Sequence, residues 1–132
     1  MAEKITSNRF AVSVSQLLDD YALDVQMAVG GAVEKAGKRA LKVVRKKSPK
    51  RTGKYGKSWT MEVTHGGVFG SQTKAIIHNK KYYRLVHLLE DGHQKANGGR
   101  VEGIPHVRPA MDEADRSLLE LAARAIEEAG TK

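Results

Sequence analysis

His87, Glu90 and His93 follow one another at three-residue steps, with His106 further along the chain. Two imidazoles and a carboxylate form a ligand set for zinc or a non-haem metal, and an open position on that metal would activate water for hydrolysis. The spacing weighs against this chemistry. On a helix, His87 and His93 would lie roughly 240° apart around the axis, and Gly92 is placed to end the helix before His93. The His-Glu-x-x-His pattern of zinc hydrolases is absent. Structural or interface histidines are the better reading, with a metal hydrolase a distant alternative.

Other reactive sets are missing too. The chain has no cysteine, hence no thiolate nucleophile and no disulfide. No serine sits in a Gly-x-Ser-x-Gly elbow. The glycine-rich stretches 66–70 and 98–103 lack the Gly-Lys-Ser/Thr that cradles phosphate. Outside the terminal helices and Asp19-Asp20, Glu90-Asp91 is the only adjacent acid pair, too little for two-metal nuclease chemistry. The residues point away from an enzyme and imply no cofactor.

The strongest chemical signal is charge. From Lys35 to Lys57 there are eleven lysines and arginines and no acid. Residues 1–34 carry −3, residues 35–57 carry +11, and residues 109–132 carry −3, within a total of +8. So much positive charge on a short connector should face a polyanion or an acidic protein surface. Three readings stand side by side. Lys35, Lys38, Arg39, Lys42 and Lys46 fit the solvated face of a helix, their stems covering its apolar stripe. Alternatively, Lys46, Lys47, Lys50, Arg51, Lys54 and Lys57 contact an acidic protein. In the third reading they contact DNA or RNA, with Tyr55 and Trp59 available to stack on bases. Trp59 fits a core position better than a stacking platform.

The elements that must position these groups are legible from period and punctuation. Phe10, Val12 and Val14 alternate with smaller residues, which suggests a short strand or extended arm over 1–14. A long helix is predicted over Ser15–Lys47. Ser13 and Gln16 have capping-box spacing, and Asp19 and Asp20 lie in the first turns. Leu17, Leu18, Tyr21, Val25, Val29, Ala32, Val33, Ala36, Ala40, Val43 and Val44 make its apolar stripe. Arg45-Lys46-Lys47 complement its carbonyl end before Pro49. Gly30-Gly31 predicts a bend, a close helix contact or a hinge.

A strand should begin at Trp59, with Met61 and Val63 inward; Gly66-Gly67 turns the chain. Val68-Phe69 and Thr73–His78 read as returning strands, with a bulge or turn at Gly70–Gln72. A short helix is predicted over 81–91 and an exposed loop over 93–104. A final helix is expected from Pro109 to Ala129, carrying Met111, Ala114, Leu118, Leu121, Ala122, Ala125 and Ile126 inward. This order predicts an α+β fold, the long N-terminal helix and the C-terminal helix packed on a small antiparallel sheet.

The 132 residues suit one domain, read as 15–132 after the N-terminal arm. Only seven residues are Phe, Trp or Tyr, so the core must rest on Leu, Val, Ile and Ala, supplemented by neighbouring subunits. The start of the chain lacks a secretory pattern, and no apolar run approaches the roughly 20 residues of a membrane span. A soluble protein made inside the cell, with no membrane partner, is expected.

Three segments together resemble one family. Ser48-Pro49-Lys50-Arg51-Thr52-Gly53-Lys54-Tyr55 with Ser58-Trp59 is similar to its Pro-x-basic-Thr-Gly signature. Tyr83 to His93, containing Val86-His87-Leu88-Leu89-Glu90-Asp91-Gly92-His93, resembles its His-Leu-Leu-Glu-x-Gly-His segment. Gly98 to Ala110, with Pro105-His106-Val107-Arg108-Pro109-Ala110, resembles its closing motif before the last helix. The family is the neck or tail-component family of tailed bacteriophages, typified by the tenth gene product of phage Hong Kong ninety-seven, and the resemblance spans 15–128.

The resemblance implies a virion protein of the head–tail junction, made in the bacterial cytoplasm. It implies a homo-oligomeric ring, about six or twelve subunits round. The ring would sit between a head-completion or connector protein and a tail terminator or tail tube protein, with phage DNA in its lumen. Its interface residues would be Arg51, Thr52, Gly53, Tyr55, Leu88, Leu89, Glu90, Gly92, His93 and His106. A small basic DNA- or RNA-binding module is the alternative.

Overall fold

The computed structural model describes residues 9–12, 23–50, 53–67 and 72–130. Strand β1 (Arg9–Val12) leads to helix α1 (Leu23–Lys47), a single helical turn α2 (Lys54–Lys57), strands β2 (Thr60–Gly66) and β3 (Gln72–His78), and helix α3 (Val86–Asp91). A hairpin of β4 (Gly92–Gln94) and β5 (Arg100–Glu102) precedes the last helix, α4 (Val107–Gly130). The predicted capping residues Ser13 to Asp20, the stripe positions Leu17, Leu18 and Tyr21, and the segment Val68 to Ser71 lie outside the described residues.

The main sheet is antiparallel in the order β1-β3-β2. Its registers place Phe10, Ile77 and Met61 in one row and Val12, Ala75 and Val63 in the next. Strand side chains alternate, so these rows share one face, and α1 covers it. α4 packs mainly along α1 and reaches β1. The α+β class with two long helices on a small antiparallel sheet is therefore the observed architecture. Val29, Ala32, Val33, Ala36, Ala40 and Val44 of the predicted α1 stripe are buried, as are Ala114, Leu118 and Leu121 of the α4 stripe. Each fully buried Val, Leu or Ile contributes about 1.5–3 kcal/mol of transfer free energy.

Several expectations are corrected. The turn after α1 contains α2, because Lys57 and Ser58 N–H groups bond back to the Gly53 and Lys54 carbonyls. α3 is shorter than 81–91, residues 81–85 being turns. The predicted loop 93–104 contains the β4–β5 hairpin, with His93 opposite Val101. The last helix begins two residues before Pro109. Proline in the first turn removes only an N–H that has no intrahelical acceptor.

The closest packing of α1 on the sheet falls at Gly37, a glycine the sequence pattern does not single out. A Cβ on Gly31 would meet nothing within 4 Å, so close approach does not explain that residue. A Cβ on Gly37 would lie 2.7 Å from Ala75 Cβ and 3.0 Å from Met61 Sδ. Gly37 is where the α1 backbone sits directly on the sheet. Replacing Gly37 with valine should lower stability by about 1–3 kcal/mol through overpacking, whereas Gly31→Ala should raise it by up to about 1 kcal/mol. Thermal unfolding followed by circular dichroism checks both, and equal effects at the two sites would contradict the packing described.

Candidate functional site

Two groups of the predicted site residues separate in space. Tyr55, Glu90 and His106 converge inside the protein, while Lys46, Lys47, Lys50, Lys54 and Lys57 are exposed around the end of α1. Arg51 and Thr52 lie outside the described residues.

The inner group is built on Glu90, the last inward-facing position of α3, which is 7% exposed. Its Oε1 accepts the backbone N–H groups of His106 and Val107, each at 2.8 Å. Its Oε2 accepts the Arg108 N–H at 3.0 Å. These donors belong to the start of α4, whose first N–H groups have no carbonyl of their own helix to bond. Glu90 thus caps α4 from a different helix, and its negative charge sits at the positive end of the helix dipole. His106 Nδ1 adds a contact to Glu90 Oε1 at 2.9 Å and one to the Ile104 carbonyl at 2.7 Å.

Burial alone would raise the Glu90 pKa. The His106 side chain and the backbone N–H groups of Val107, Arg108 and His106 outweigh it, and hold the carboxyl at about 2. Burial also pushes the Tyr55 phenol well above its ordinary range, so its O–H is available to donate. Tyr55 Oη lies 2.7 Å from His106 Nε2. The network assigns Nδ1–H as the imidazole donor and Nε2 as the acceptor from Tyr55. The Tyr55 ring meets Trp59 edge-on at 6.2 Å and Tyr82 at 5.9 Å. Asn79, fully buried, donates to the Tyr55 carbonyl and accepts the Tyr82 N–H.

Glycines set the path that brings His106 in. Gly92 has φ +83, and a Cβ there would lie 2.4 Å from the Val101 carbonyl oxygen. A Cβ on Gly103 would lie 2.4 Å from the Glu90 carbonyl oxygen. The backbone leaving α3 therefore passes directly against the backbone returning from the hairpin, and Ile104 N–H bonds the Leu89 carbonyl at 2.8 Å. Gly103 carried no sequence signal beyond its loop; its partner Gly92 did.

The chemistry open to this group is structural. His106 is fully enclosed, and both Glu90 oxygens are committed to N–H groups. His87 is exposed and His93 half-buried on β4. Among the described residues no three His, Asp or Glu side chains gather at metal-binding distance. Leu88 and Leu89 are half-buried, Leu89 against the core. Tyr55 and Trp59, at 9% and 0% exposure, are core residues and offer no ring for a base to stack on.

The outer group borders a cleft of about 450 Å³ lined by Arg45, Pro49, Lys50, Gly53, Gly56 and Lys57. Arg45, which the sequence reading treated only as a helix-end charge, donates from Nε and Nη2 to the Trp59 carbonyl at 3.1 and 2.8 Å. One turn of chain serves both groups: α2 turns Tyr55 inward and leaves Lys54 and Lys57 outside.

Glu90→Gln should destabilise the protein by about 3 kcal/mol at neutral pH, since its hydrogen-bond donors hold the folded carboxyl at about 2, well below its ordinary value. A depressed pKa contributes stability that is complete above the ordinary carboxylate range and lost as pH falls through about 2. The wild-type advantage over the variant should therefore shrink between about pH 4.5 and pH 2. Denaturation followed by the emission of Trp59, the only tryptophan, reads this difference; an advantage independent of pH would refute the cap.

Residues 13–92, more than half of the chain, match the model of the HK97-gp10-like family, described as "Bacteriophage HK97-gp10, putative tail-component". No curated protein and no solved structure matches the chain. The matched span includes the basic turn with Tyr55 and the α3 segment with Glu90 and Gly92, while the third resembling segment, Gly98 to Ala110, lies beyond it. The buried Tyr55–His106–Glu90 group and the exposed basic cleft are thus features of a chain that belongs to the HK97-gp10-like family of bacteriophage tail components.

Proposed function

We propose that this tail component is a subunit of the phage neck: a homo-oligomeric ring that joins the head-completion or connector ring to the tail and lets DNA pass through its lumen. Family membership carries this reading. The protein acts by fitting surfaces together and transforms no substrate. Its partners are its own copies, the head-completion protein, the tail terminator or tube protein, and DNA in the lumen. It resides in the virion at the head–tail junction.

The fold supports this role in a specific way. The Glu90 cap and the Gly92–Gly103 backbone crossing fix the β4–β5 hairpin on the body of the subunit. The hairpin end, with Lys95, Ala96 and Asn97 exposed, is a surface suited to docking on an adjacent ring. Its anchors in this reading are Leu88, Leu89, Glu90 and His93.

One observation favours a second reading, a small basic DNA- or RNA-binding module. Lys46, Lys47, Lys50 and Lys57 are exposed and pair with no described carboxylate. Against that reading, the aromatic residues that would stack on single-stranded bases are in the core.

Particles produced without this gene product and viewed by electron microscopy should be separated, normal-looking heads and tails, and supplying the wild-type chain should restore joined virions. Intact virions without the protein would defeat the joining role. A monomer that binds random duplex with an affinity collapsing in salt would instead select the second reading.

A further inference from the structure

We infer that Asn97-Gly98, at the turn of the β4–β5 hairpin, is a modification site: the Asn97 side chain deamidates through a cyclic imide, and the hairpin end gains a carboxylate as the chain ages. The inference stands apart from the joining role and needs no partner.

Deamidation begins when the backbone nitrogen after an asparagine attacks the side-chain amide carbon. A side chain on the following residue, burial of the amide, or hydrogen bonds to it each obstruct that approach. None of them operates at Asn97. Residues 94–100 are all exposed, and the Asn97 amide makes no hydrogen bond to a described residue. Gly98 follows with φ +90 and with nothing within 4 Å of the position a Cβ would take. Its nitrogen is therefore screened by no side chain.

The turn is held by two exposed bonds. Gly98 N–H donates to the Lys95 carbonyl at 3.2 Å, and Lys95 N–H donates to the Gly99 carbonyl at 3.0 Å. Asn97 thus takes the third position of a β-turn that a glycine in the left-handed region completes. Hydrogen bonds in so exposed a turn open readily. Opening frees the Gly98 nitrogen while the Gly92–Gly103 crossing keeps the base of the hairpin in place. Asn79 is the contrast. It is fully buried, donates to the Tyr55 carbonyl, accepts the Tyr82 N–H and is followed by Lys80.

The chemistry is a hydrolysis, with nothing oxidised or reduced. Hydroxide takes the Gly98 N–H proton and the nitrogen bonds to Asn97 Cγ. The Cγ–Nδ2 bond then breaks, and Nδ2 leaves as ammonia after taking a proton from water. A second water opens the imide. Cleavage between the Gly98 nitrogen and Cγ gives aspartate; cleavage between that nitrogen and the Asn97 carbonyl carbon gives isoaspartate. Residues 94–100 hold Lys95 and Arg100 and no acid, so the product is the only negative charge on that stretch. Isoaspartate also lengthens the main chain inside the turn, which breaks the bond from Gly98 to Lys95.

The test keeps the full folded chain in mildly alkaline buffer at physiological temperature and follows it by mass spectrometry after cleavage at Lys95 and Arg100. A fresh sample digested alongside sets the background. The released peptide Ala96–Arg100 contains no other asparagine. With storage it should gain the mass difference between water and ammonia and become a substrate for isoaspartate-specific methylation. The gain should speed up in proportion to hydroxide and be lost in Asn97→Gln, while the peptide holding Asn79 stays unchanged. Denaturation read by Trp59 emission should be the same before and after storage, because Asn97 is exposed and the core is untouched.

A peptide that stays unaltered in the folded chain while the urea-unfolded chain converts would overturn the proposal, since the turn would then protect Asn97. Conversion at Asn79 as fast as at Asn97 would do the same, as would a rate indifferent to pH. None of these outcomes decides the joining role, which is read from particles lacking the protein.

Discussion

One carboxylate holds the architecture together. Removing a carboxylate from water costs several kcal/mol unless its lone pairs find donors, and Glu90 finds the first N–H groups of α4 together with the His106 imidazole. Those N–H groups would otherwise be buried without acceptors, so each side of the contact satisfies the other. His106 passes the connection on to Tyr55 in α2, and the Tyr55 ring packs against Trp59 and Tyr82. A single charge therefore ties α2, α3 and α4 into one unit and sets where the last helix starts. The basic turn carrying Lys54 and Lys57 is positioned from behind by the same contact.

The parts that were legible in the sequence are those governed by local rules. α1 and α4 show their apolar stripes at helical spacing, and α1 ends on three basic residues before a proline. The parts that were not legible depend on contacts distant in the chain. α2 is four residues containing a glycine, too short for any period; it forms because burying Tyr55 and closing two backbone bonds favours one turn of helix. The hairpin strands are three residues each and carry no apolar alternation. α4 begins at Val107 because its cap comes from Glu90, far back in the sequence, where a local reading sees only Pro109. Tyr55, Glu90 and His106 were singled out through the family motif as interface groups, and the structure gives them an interior role that spacing alone does not reveal.

Charge shows the same contrast. Along the sequence the pattern is acidic, basic, acidic, a symmetric arrangement with no direction. The fold redistributes it: antiparallel packing sets Asp24 of α1 beside Arg124 and Glu128 of α4, while Asp112, Glu113 and Asp115 stand at the opposite end of α4, near Arg39.

The seat of Gly37 against Ala75 and Met61 has a mechanical corollary. With no side chain at that point, the helix backbone rests in a notch on the sheet. Sliding α1 lengthwise by about one turn in either direction would drive Val33 or Leu41 toward the same spot. Sliding is opposed by hard steric contact, which neither salt nor pH weakens. A load applied along the axis of α1 is thus met first where the helix is seated on Ala75 and Met61 of the sheet.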